Sequence, residues 1–152
     1  MARATVMVAD DEQNMLRTVD SILRAEGFDV VQAQSGRAAL EKLAEKPVHV
    51  ILTDARMPAV DGFELLAETR QRYPHIPVVM MTAYATPKLA VQAIKGGAAD
   101  YIAKPFDPEE LIHVVRTVMR DELLQEENRQ LKGMLGRRFG LDDLIGLSPA
   151  MR

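Results

Sequence analysis

Three aspartates follow short apolar segments of the chain. Asp10 and Asp11 come directly after the run Thr5–Ala9, and Asp54 comes shortly after the run Val48–Leu52. Carboxylate oxygens are the ligands that Mg²⁺ prefers, and a carboxylate can also act as a nucleophile. Three carboxylates brought to one place repel one another unless a cation joins them. The pattern therefore predicts a Mg²⁺ site at which Asp54 can form an aspartyl phosphate.

A lysine and a threonine occupy comparable positions in the chain. Lys104 follows the short run Tyr101–Ala103, and Thr82 ends the run Val78–Thr82. Phosphoryl transfer depends mainly on positioning and on the neutralisation of charge. Lys104 could meet a phosphoryl oxygen as a point charge, and the Thr82 hydroxyl could give another oxygen a hydrogen bond. We therefore expect both residues to assist Asp54.

The Asp10-Asp11 pair has a second interpretation, which is that it caps the helix that follows. Aspartate is one of the residues that helix N-caps prefer, so this alternative is an ordinary one. The third acid, Asp54, is expected at the same pole of the fold. Its presence there favours the metal site over the cap.

Strand-like and helix-like segments alternate five times. The predicted strands are Thr5–Ala9, Asp29–Ala33, Val48–Thr53, Val78–Thr82 and Tyr101–Ala103. Such alternation is typical of an α/β fold in which helices cover both faces of a parallel sheet. Right-handed crossovers restrict the topology, and the doubly wound, flavodoxin-like strand order 2-1-3-4-5 suits a unit of this size. In that order the ligand crevice lies between strands 1 and 3, where the acids are.

The composition sets further limits. The chain has 152 residues, of which 47% are hydrophobic and 27% charged, enough for one domain and a modest extension. Its net charge of −3 gives no electrostatic basis for contact with nucleic acid. It has no cysteine, no apolar run near the ~20 residues of a membrane span and no visible signal peptide. We therefore expect a cytoplasmic protein without membrane or direct nucleic-acid contact.

The last part of the chain predicts a linker helix over residues 121–136. Apolar residues from Leu111 to Met119 fill one broad helix face, which would pack on the sheet. Four further residues, separated by 4, 3 and 4 positions, form a seam on nearly the opposite face: Leu124, Asn128, Leu131 and Leu135. A polar residue at a core position of such a seam is typical of a short parallel coiled coil and predicts a homodimer. The alternative is a solvated helix tail, which Gly133 and Gly136 favour.

Several short motifs, taken together and in order, resemble the receiver domain of two-component response regulators. The motifs are Asp10-Asp11, Asp54-x-x-Met57-Pro58 followed by Asp61-Gly62, Thr82-Ala83 and Lys104-Pro105. The resemblance covers about residues 4–120 and implies a receiver domain over residues 1–120. It further implies that a sensor histidine kinase donates the phosphoryl group to Asp54.

The resemblance also implies a set of ligands for Mg²⁺. Asp11, Asp54 and the main-chain carbonyl of Arg56 would bind the ion, and Asp10 would help through water. The Lys104-Pro105 peptide bond would be cis, which is plausible for a bond that precedes proline and rare elsewhere.

A switch is implied by the same family. The Thr82 hydroxyl would move toward the phosphoryl group, and the Tyr101 ring would turn inward. Helix 4, strand 5 and helix 5 would then present a different surface, which offers a second route to a homodimer. From the residues alone, Tyr101 can also be interpreted as a half-exposed strand residue that fills space.

Residues 137–152 mark a change of composition. Their pattern Leu144-Ile145-Gly146-x-Ser148-x-Ala150-Met151 resembles the entry to the ATPase domain of sigma-54-dependent NtrC-type activators. The sequence contains no Gly-x-x-x-x-Gly-Lys-[Ser/Thr] loop and no helix-turn-helix. The resemblance therefore implies the regulatory part of such an activator, which catalyses only its own phosphoryl transfer and dephosphorylation.

Two other classes of function compete with this interpretation. An interaction module of the same fold that is never phosphorylated would not need the full acid set, Thr82 and Lys104. A flavin carrier or an aspartate phosphatase would need a phosphate-cradling first loop or an Asp-x-Asp-x-Thr motif, and the sequence has neither. The three histidines, His49, His75 and His113, have no partner at metal-ligand spacing, so we interpret them as structural.

Overall fold

The computed structural model of this chain describes residues 4–57, 60–83 and 86–139, with side chains as far as residue 124. Five strands and five helices alternate, as predicted. The strands are β1 Thr5–Ala9, β2 Asp29–Ala33, β3 Val50–Asp54, β4 Val78–Thr82 and β5 Asp100–Ala103. The helices are α1 Gln13–Ala25, α2 Gly36–Glu45, α3 Gly62–Arg72, α4 Pro87–Lys95 and α5 Pro108–Phe139.

All five strands are parallel and form one sheet in the order β2-β1-β3-β4-β5. The predicted doubly wound order is confirmed. The register aligns the carboxyl ends of the strands, since Ala9 lies opposite Thr53 and Thr82 lies opposite Ala103. Side chains that follow these strands therefore meet at one pole of the sheet, where open parallel sheets bind ligands.

Two strands differ from their predicted bounds. β3 was predicted over residues 48–53 and spans Val50–Asp54 instead. Pairing with β4 carries it one residue further, because Asp54 lies opposite Met81. β5 begins one residue earlier than predicted, at Asp100. Both corrections come from pairing between strands, which the apolar run of a single strand does not encode.

Four of the helices begin with side-chain caps; at α5 the Asp107 carboxylate accepts the Glu109 N–H at 3.1 Å. At α2 and α4 the hydroxyls of Ser35 and Thr86 each accept a backbone N–H from the first turn, both at 3.1 Å. At α3, Asp61 and Glu64 form a capping box. Pro87 is the first residue of α4, where its missing N–H costs nothing. These caps set where the helices begin above the carboxyl pole of the sheet.

The hydrophobic core lies on both faces of the sheet, because successive strand residues point to opposite sides. On one face Val6 and Val8 pack with apolar residues of α1 and α5, among them Leu16 and Leu111. On the other face the apolar residues come from β1 and from α2, α3 and α4, and they include Met7, Ala9, Ala39, Leu65 and Ala93.

The helix α5 runs without a break, but its two parts belong to different compact units. One unit ends at Met119, and the second part of the helix belongs to the other. In the first part Leu111 and Val115 are fully buried. In the second part Leu123 and Leu124 expose 65% and 56% of their surface.

Some predictions for the C-terminal part fall outside the described residues. They concern the side chains of Asn128, Leu131 and Leu135 in the predicted dimer seam, and the pattern at residues 144–151. Those predictions stay predictions. Within the part of the chain that the structure describes, no helix is both long and apolar enough to cross a membrane.

Replacement of Leu111 by Ala should lower the free energy of unfolding by about 2–5 kcal/mol, because the change leaves a cavity in a close-packed core. The same replacement at the exposed Leu123 of the same helix should change it by less than about 0.5 kcal/mol. Urea unfolding followed by circular dichroism at low protein concentration measures both values. Equal losses at the two positions would contradict the described burial of α5.

Candidate functional site

Three predicted site residues lie together at the carboxyl pole of the sheet. Asp54 ends β3, and Asp10 and Asp11 directly follow the neighbouring strand β1. Each carboxylate offers an oxygen that lies within 4.8 Å of those from the other two. Asp10 is buried, Asp54 is partly buried and Asp11 is exposed. The pairing of β1 with β3 brings these acids together, because parallel neighbours end at the same edge of the sheet.

Lys104 joins these acids from the end of β5. Its Nζ lies 2.8 Å from Asp10 Oδ2 and 3.5 Å from Asp54 Oδ2. Its N–H donates to the Thr82 carbonyl at 2.7 Å, which continues the β4–β5 pairing beyond β5. The Lys104-Pro105 peptide bond is cis, as the resemblance implied. The ammonium therefore lies between two carboxylates, with only 10% of the side chain exposed.

Both carboxylate oxygens and the main-chain N–H of Asp10 form hydrogen bonds. Its Oδ2 accepts a hydrogen bond from Lys104, and its Oδ1 accepts one from the Glu12 N–H at 2.9 Å. Its own N–H donates to the Ala33 carbonyl at 3.0 Å. Glu12 occupies the N-cap position of α1 and makes no side-chain cap bond. The alternative that the Asp10-Asp11 pair caps this helix is therefore wrong.

The carboxylate cluster fits a small divalent cation. Mg²⁺ binds oxygens at about 2.1 Å in an octahedron, so ligands on opposite sides lie about 4.2 Å apart. The carboxylate oxygens all lie within 4.8 Å of one another, so one such ion can reach all three residues. The cluster has three carboxylates and one ammonium, so three negative charges and one positive charge leave a formal −2. A divalent cation would balance that charge.

The surroundings shift the protonation of two residues in the site. Burial raises the pKa of the Asp54 carboxyl, and the Asp10 carboxylate adds to this rise, against the opposing effects of Lys104 and of the Arg56 N–H. Burial alone would lower the pKa of Lys104, but the hydrogen bond to Asp10 and the attraction of both carboxylates outweigh it and raise that pKa. Lys104 is therefore a fixed positive charge, whereas Asp54 holds its negative charge less readily than a solvated aspartate.

The predicted metal ligand Arg56 lies in the loop that follows Asp54. Its N–H donates to Asp54 Oδ1 at 3.3 Å, which is long for a hydrogen bond of this type. The loop therefore folds back toward the Asp54 carboxylate at its first residues. This places the main chain at Arg56 beside the acid cluster.

The predicted switch residues lie in neighbouring strands. Thr82 ends β4 and is fully buried. Tyr101 of β5 lies opposite Met80 and packs against the core formed with α2, α3 and α4. Its hydroxyl is buried and has no hydrogen-bond partner among the described residues, which omit 84 and 85. Both interpretations of Tyr101, as a switch residue and as a strand residue that fills space, stay predictions.

Gly62 has a role that sequence reasoning missed. The sequence marks Asp61-Gly62 only as a turn, but a Cβ atom at Gly62 would lie 2.2 Å from the Asp54 carbonyl oxygen and 2.8 Å from Ala55 Cα. Glycine at this position lets α3 begin directly against the main chain of the acceptor residue. The available signal was a glycine at the first position of a capped helix, where a residue with a side chain would favour the helix more.

Comparison with known proteins agrees with this geometry. The family described as the response regulator receiver domain matches residues 6–116. The chain belongs to this family. The resemblance found in the motifs is thereby confirmed, and so is the function it implied at the level of the family, a receiver domain of two-component response regulators.

Curated relatives match nearly the whole chain. The regulatory protein AtoC of Escherichia coli K12 is 36% identical over 146 residues, which cover 96% of this chain and 32% of that protein. The DNA-binding transcriptional regulator NtrC of the same strain is 37% identical over 154 residues, covering 100% of this chain and 32% of that protein. The chain thus spans about a third of the length of these relatives, and it is NtrC-like.

Solved structures share the fold. A CheY-like response regulator receiver domain from Methanospirillum hungatei superposes with a TM-score of 0.78 at 26% identity, covering 82% of this chain and 99% of that one. NtrX from Brucella abortus, solved in complex with ADP, gives a TM-score of 0.82 at 30% identity and covers 99% of this chain and 32% of that one. Receiver domains bind Mg²⁺ at an acidic cluster, and Asp10, Asp11 and Asp54 form a group that could hold it.

Replacement of Asp54 by Asn should raise the free energy of unfolding at neutral pH in metal-free buffer. The folded pKa of Asp54 lies above the ordinary value of 3.8, so the folded state binds this proton more tightly than the unfolded state does. Stability is then lost as the pH rises from 3.8 through the folded pKa, and the loss is complete above it. Asn carries no charge, so its advantage should shrink as the pH falls toward 3.8.

Thermal unfolding in the presence of EDTA, from neutral pH down to 3.8, measures the difference in stability between Asp54→Asn and the wild type. A difference that does not vary with pH would show that the Asp54 charge is not its cause.

Proposed function

We propose that Asp54 accepts a phosphoryl group from a phosphohistidine of a sensor histidine kinase, in a Mg²⁺-dependent reaction that switches the output state. The observation that carries the proposal is the meeting of Asp10, Asp11, Asp54 and Lys104 at one pole of the sheet. The cluster combines a candidate nucleophile, oxygen ligands for a cation and a fixed positive charge. Membership of the receiver family supports the same reaction.

In the proposed reaction an Asp54 carboxylate oxygen forms a bond to phosphorus. The bond between phosphorus and the histidine nitrogen of the kinase breaks, and that nitrogen keeps the electron pair. Lys104 is held by Asp10 at 2.8 Å and lies 3.5 Å from Asp54, so its charge is fixed near the acceptor without a close bond to it. The Thr82 hydroxyl would donate a hydrogen bond to a phosphoryl oxygen.

Asp11, Asp54 and the main-chain carbonyl of Arg56 would hold Mg²⁺, and Asp10 would act through water. Asp10 already uses one oxygen on Lys104 and the other on a main-chain N–H, which supports an indirect role. When bound, the ion supplies positive charge against the negative charge of the phosphoryl group.

Acetyl phosphate with Mg²⁺ should add one phosphoryl group to the wild-type chain, because a small donor needs only the site of this chain. Removal of Mg²⁺ should slow the reaction at least about tenfold, since charge neutralisation supplies much of phosphoryl-transfer catalysis. Asp54→Ala should give no product. Intact-mass spectrometry measures the fraction phosphorylated.

Asp121→Ala, which removes an exposed acid of α5, is the matched control and should react like the wild type. Absence of product from the wild type would favour an interaction module that is never phosphorylated, and equal product from Asp54→Ala would show that another residue is the acceptor.

The phosphoryl group is proposed to act, through Thr82 and Tyr101, on the surface formed by α4, β5 and α5. On α4, Val91 and Ile94 expose 52% and 54% of their surface, and their spacing places them on one helix face. Large apolar side chains exposed together mark interaction surfaces. We propose a homodimer that forms through this surface, through the linker helix, or through both.

The whole protein is proposed to be a sigma-54-dependent activator of the NtrC type. The likeness to NtrC and AtoC over nearly the full chain supports this. The receiver domain would span residues 1–120, the linker helix 121–136 and the start of an ATPase domain 137–152. Under this proposal the chain catalyses only its own phosphoryl transfer and dephosphorylation and contacts no nucleic acid. It works in the cytoplasm, where ATP supplies the phosphohistidine.

Light scattering should show that residues 1–152 form particles of up to two chains, whereas residues 1–120 form particles with fewer chains on average. The predicted seam is present only in the longer chain. Leu124→Glu should reduce the dimer, since a charge at a coiled-coil core position is buried without a partner. Leu123→Glu is the matched control at a neighbour outside the seam that is also more than half exposed. Identical monomer masses for both lengths at high concentration, with and without a beryllium fluoride mimic, would exclude dimerisation through the seam.

A further inference from the structure

Gly36, the first residue of α2, contacts the loop that follows the acceptor aspartate. It is buried, and a Cβ atom placed on it would lie 2.2 Å from the Val60 carbonyl oxygen and 2.6 Å from Val60 Cγ1. Both distances are far inside van der Waals contact. The backbone of Gly36 does not adopt the left-handed conformation that calls for glycine. Its lack of a side chain therefore matters because of this close approach.

The two ends of the same loop, at Asp54 and at Gly62, contact each other. A Cβ atom at Gly62 would lie 2.2 Å from the Asp54 carbonyl oxygen, and the Gly62 N–H donates to the Ala55 carbonyl at 3.1 Å. Gly62 thus lies against Asp54 and Ala55, and Val60, two residues before it, lies against the start of α2. A shift at Val60 can pass to the acceptor through only two further residues.

The connection between β2 and α2 reaches both segments that carry acids. Ala33, the last residue of β2, accepts the Asp10 N–H at 3.0 Å. Shortly after it, Gly36 contacts Val60 of the acceptor loop. Between them Ser35 caps α2 and fixes the start of the helix. This short connection therefore contacts both acid-bearing segments from the β2 edge of the sheet, whereas Lys104 reaches the acids from the β5 edge.

We propose that Gly36 is a positioning residue for phosphoryl transfer and acts through Val60 on the main chain around Asp54. The proposal rests on the proposed phosphorylation of Asp54. A side chain at position 36 must displace either α2 or the loop. The helix is anchored by the buried residues Ala39 and Leu43, whereas Val60 is only partly buried, so the loop yields.

Displacement of the loop moves the acceptor relative to its partners. Arg56, the proposed main-chain ligand, lies in this loop, whereas Asp10 and Asp11 are held by β1. A shift of the loop therefore separates the ligands of one proposed ion from each other. The affinity for Mg²⁺ and the rate of phosphorylation should both fall, although neither Gly36 nor Val60 touches the ion.

Gly36→Ala in the full chain should weaken Mg²⁺ binding and slow phosphorylation by acetyl phosphate at least tenfold. Titration calorimetry measures the first quantity, and intact-mass spectrometry measures the second. Alanine favours a helix more than glycine does, so a loss of helix propensity cannot explain such a result. Leu43→Ala destabilises the same helix without touching the loop and should leave both quantities unchanged for the folded protein. At Gly96, at the end of α4, a Cβ atom would meet the flexible end of Leu66 at 3.1 Å and two carbonyl oxygens at ordinary contact distances of 3.4 and 3.5 Å, so Gly96→Ala should behave likewise.

A double-mutant cycle tests the route through Val60. Val60→Gly keeps the carbonyl oxygen that the Cβ atom would meet, but it removes both side-chain contacts and loosens the main chain, so the loop can move aside. It should therefore weaken Mg²⁺ binding by itself. When Val60→Gly is already present, Gly36→Ala should lower the Mg²⁺ affinity by less than a further threefold. The reason is that the effects of substitutions at contacting residues do not add. If Gly36→Ala alone does not fold, the double variant and Val60→Gly still give this comparison.

The outcomes separate the two proposals. Wild-type values for Gly36→Ala, an equal loss for Leu43→Ala, or additive losses in the cycle would overturn the positioning role. Failure of the wild type to accept a phosphoryl group would overturn the proposed function. In that case the amide resonances of Ala55, Arg56 and Gly62 still decide the positioning role. They should shift in Gly36→Ala without metal, and unchanged resonances would contradict it.

Discussion

The ion pair between Lys104 and Asp10 is the interaction on which the site depends. The two residues are separated by 94 positions in the chain, and their side chains meet at 2.8 Å with almost no exposure to solvent. A buried ion pair is favourable only when its geometry is good and the remaining polar atoms are satisfied. Asp10 meets this condition, since its second oxygen accepts a main-chain N–H. The pair fixes a positive charge next to Asp54, whose pKa burial raises and Lys104 partly lowers.

The parallel sheet explains why such a charged cluster can exist at all. Five strands end at one pole, and helices cover both faces, so the acids lie where such a sheet forms its crevice; Asp10 is buried and Asp54 partly buried, whereas Asp11 is exposed. Partial burial disfavours the negatively charged form of Asp54, and a nearby cation would stabilise it. The core beneath the crevice holds the strand ends in register, which keeps the distances between the acids short.

Close backbone packing supplies the second constraint. Gly36 and Gly62 each occupy a place where a Cβ atom would meet a carbonyl oxygen at 2.2 Å, and both contacts involve the segment from Asp54 to Gly62. The approach of α2 to Val60 and that of α3 to Asp54 both require the absence of a side chain. The hydroxyl of Tyr101, buried without a partner among the described residues, lies in the strand that leads to Lys104.

The sequence by itself determined the alternation of strands and helices, the strand order and the gathering of acids at one pole. These follow from local patterns, because apolar runs, caps and glycines act over a few residues, and all parallel strands end at the same edge. Only the tertiary structure decided that Lys104 bonds Asp10 more closely than Asp54, that Asp10 does not cap α1, that β3 ends at Asp54, and that Gly36 meets Val60. Each of these depends on a distance between residues from different elements. Such distances are set by packing between elements, which no spacing within one segment encodes.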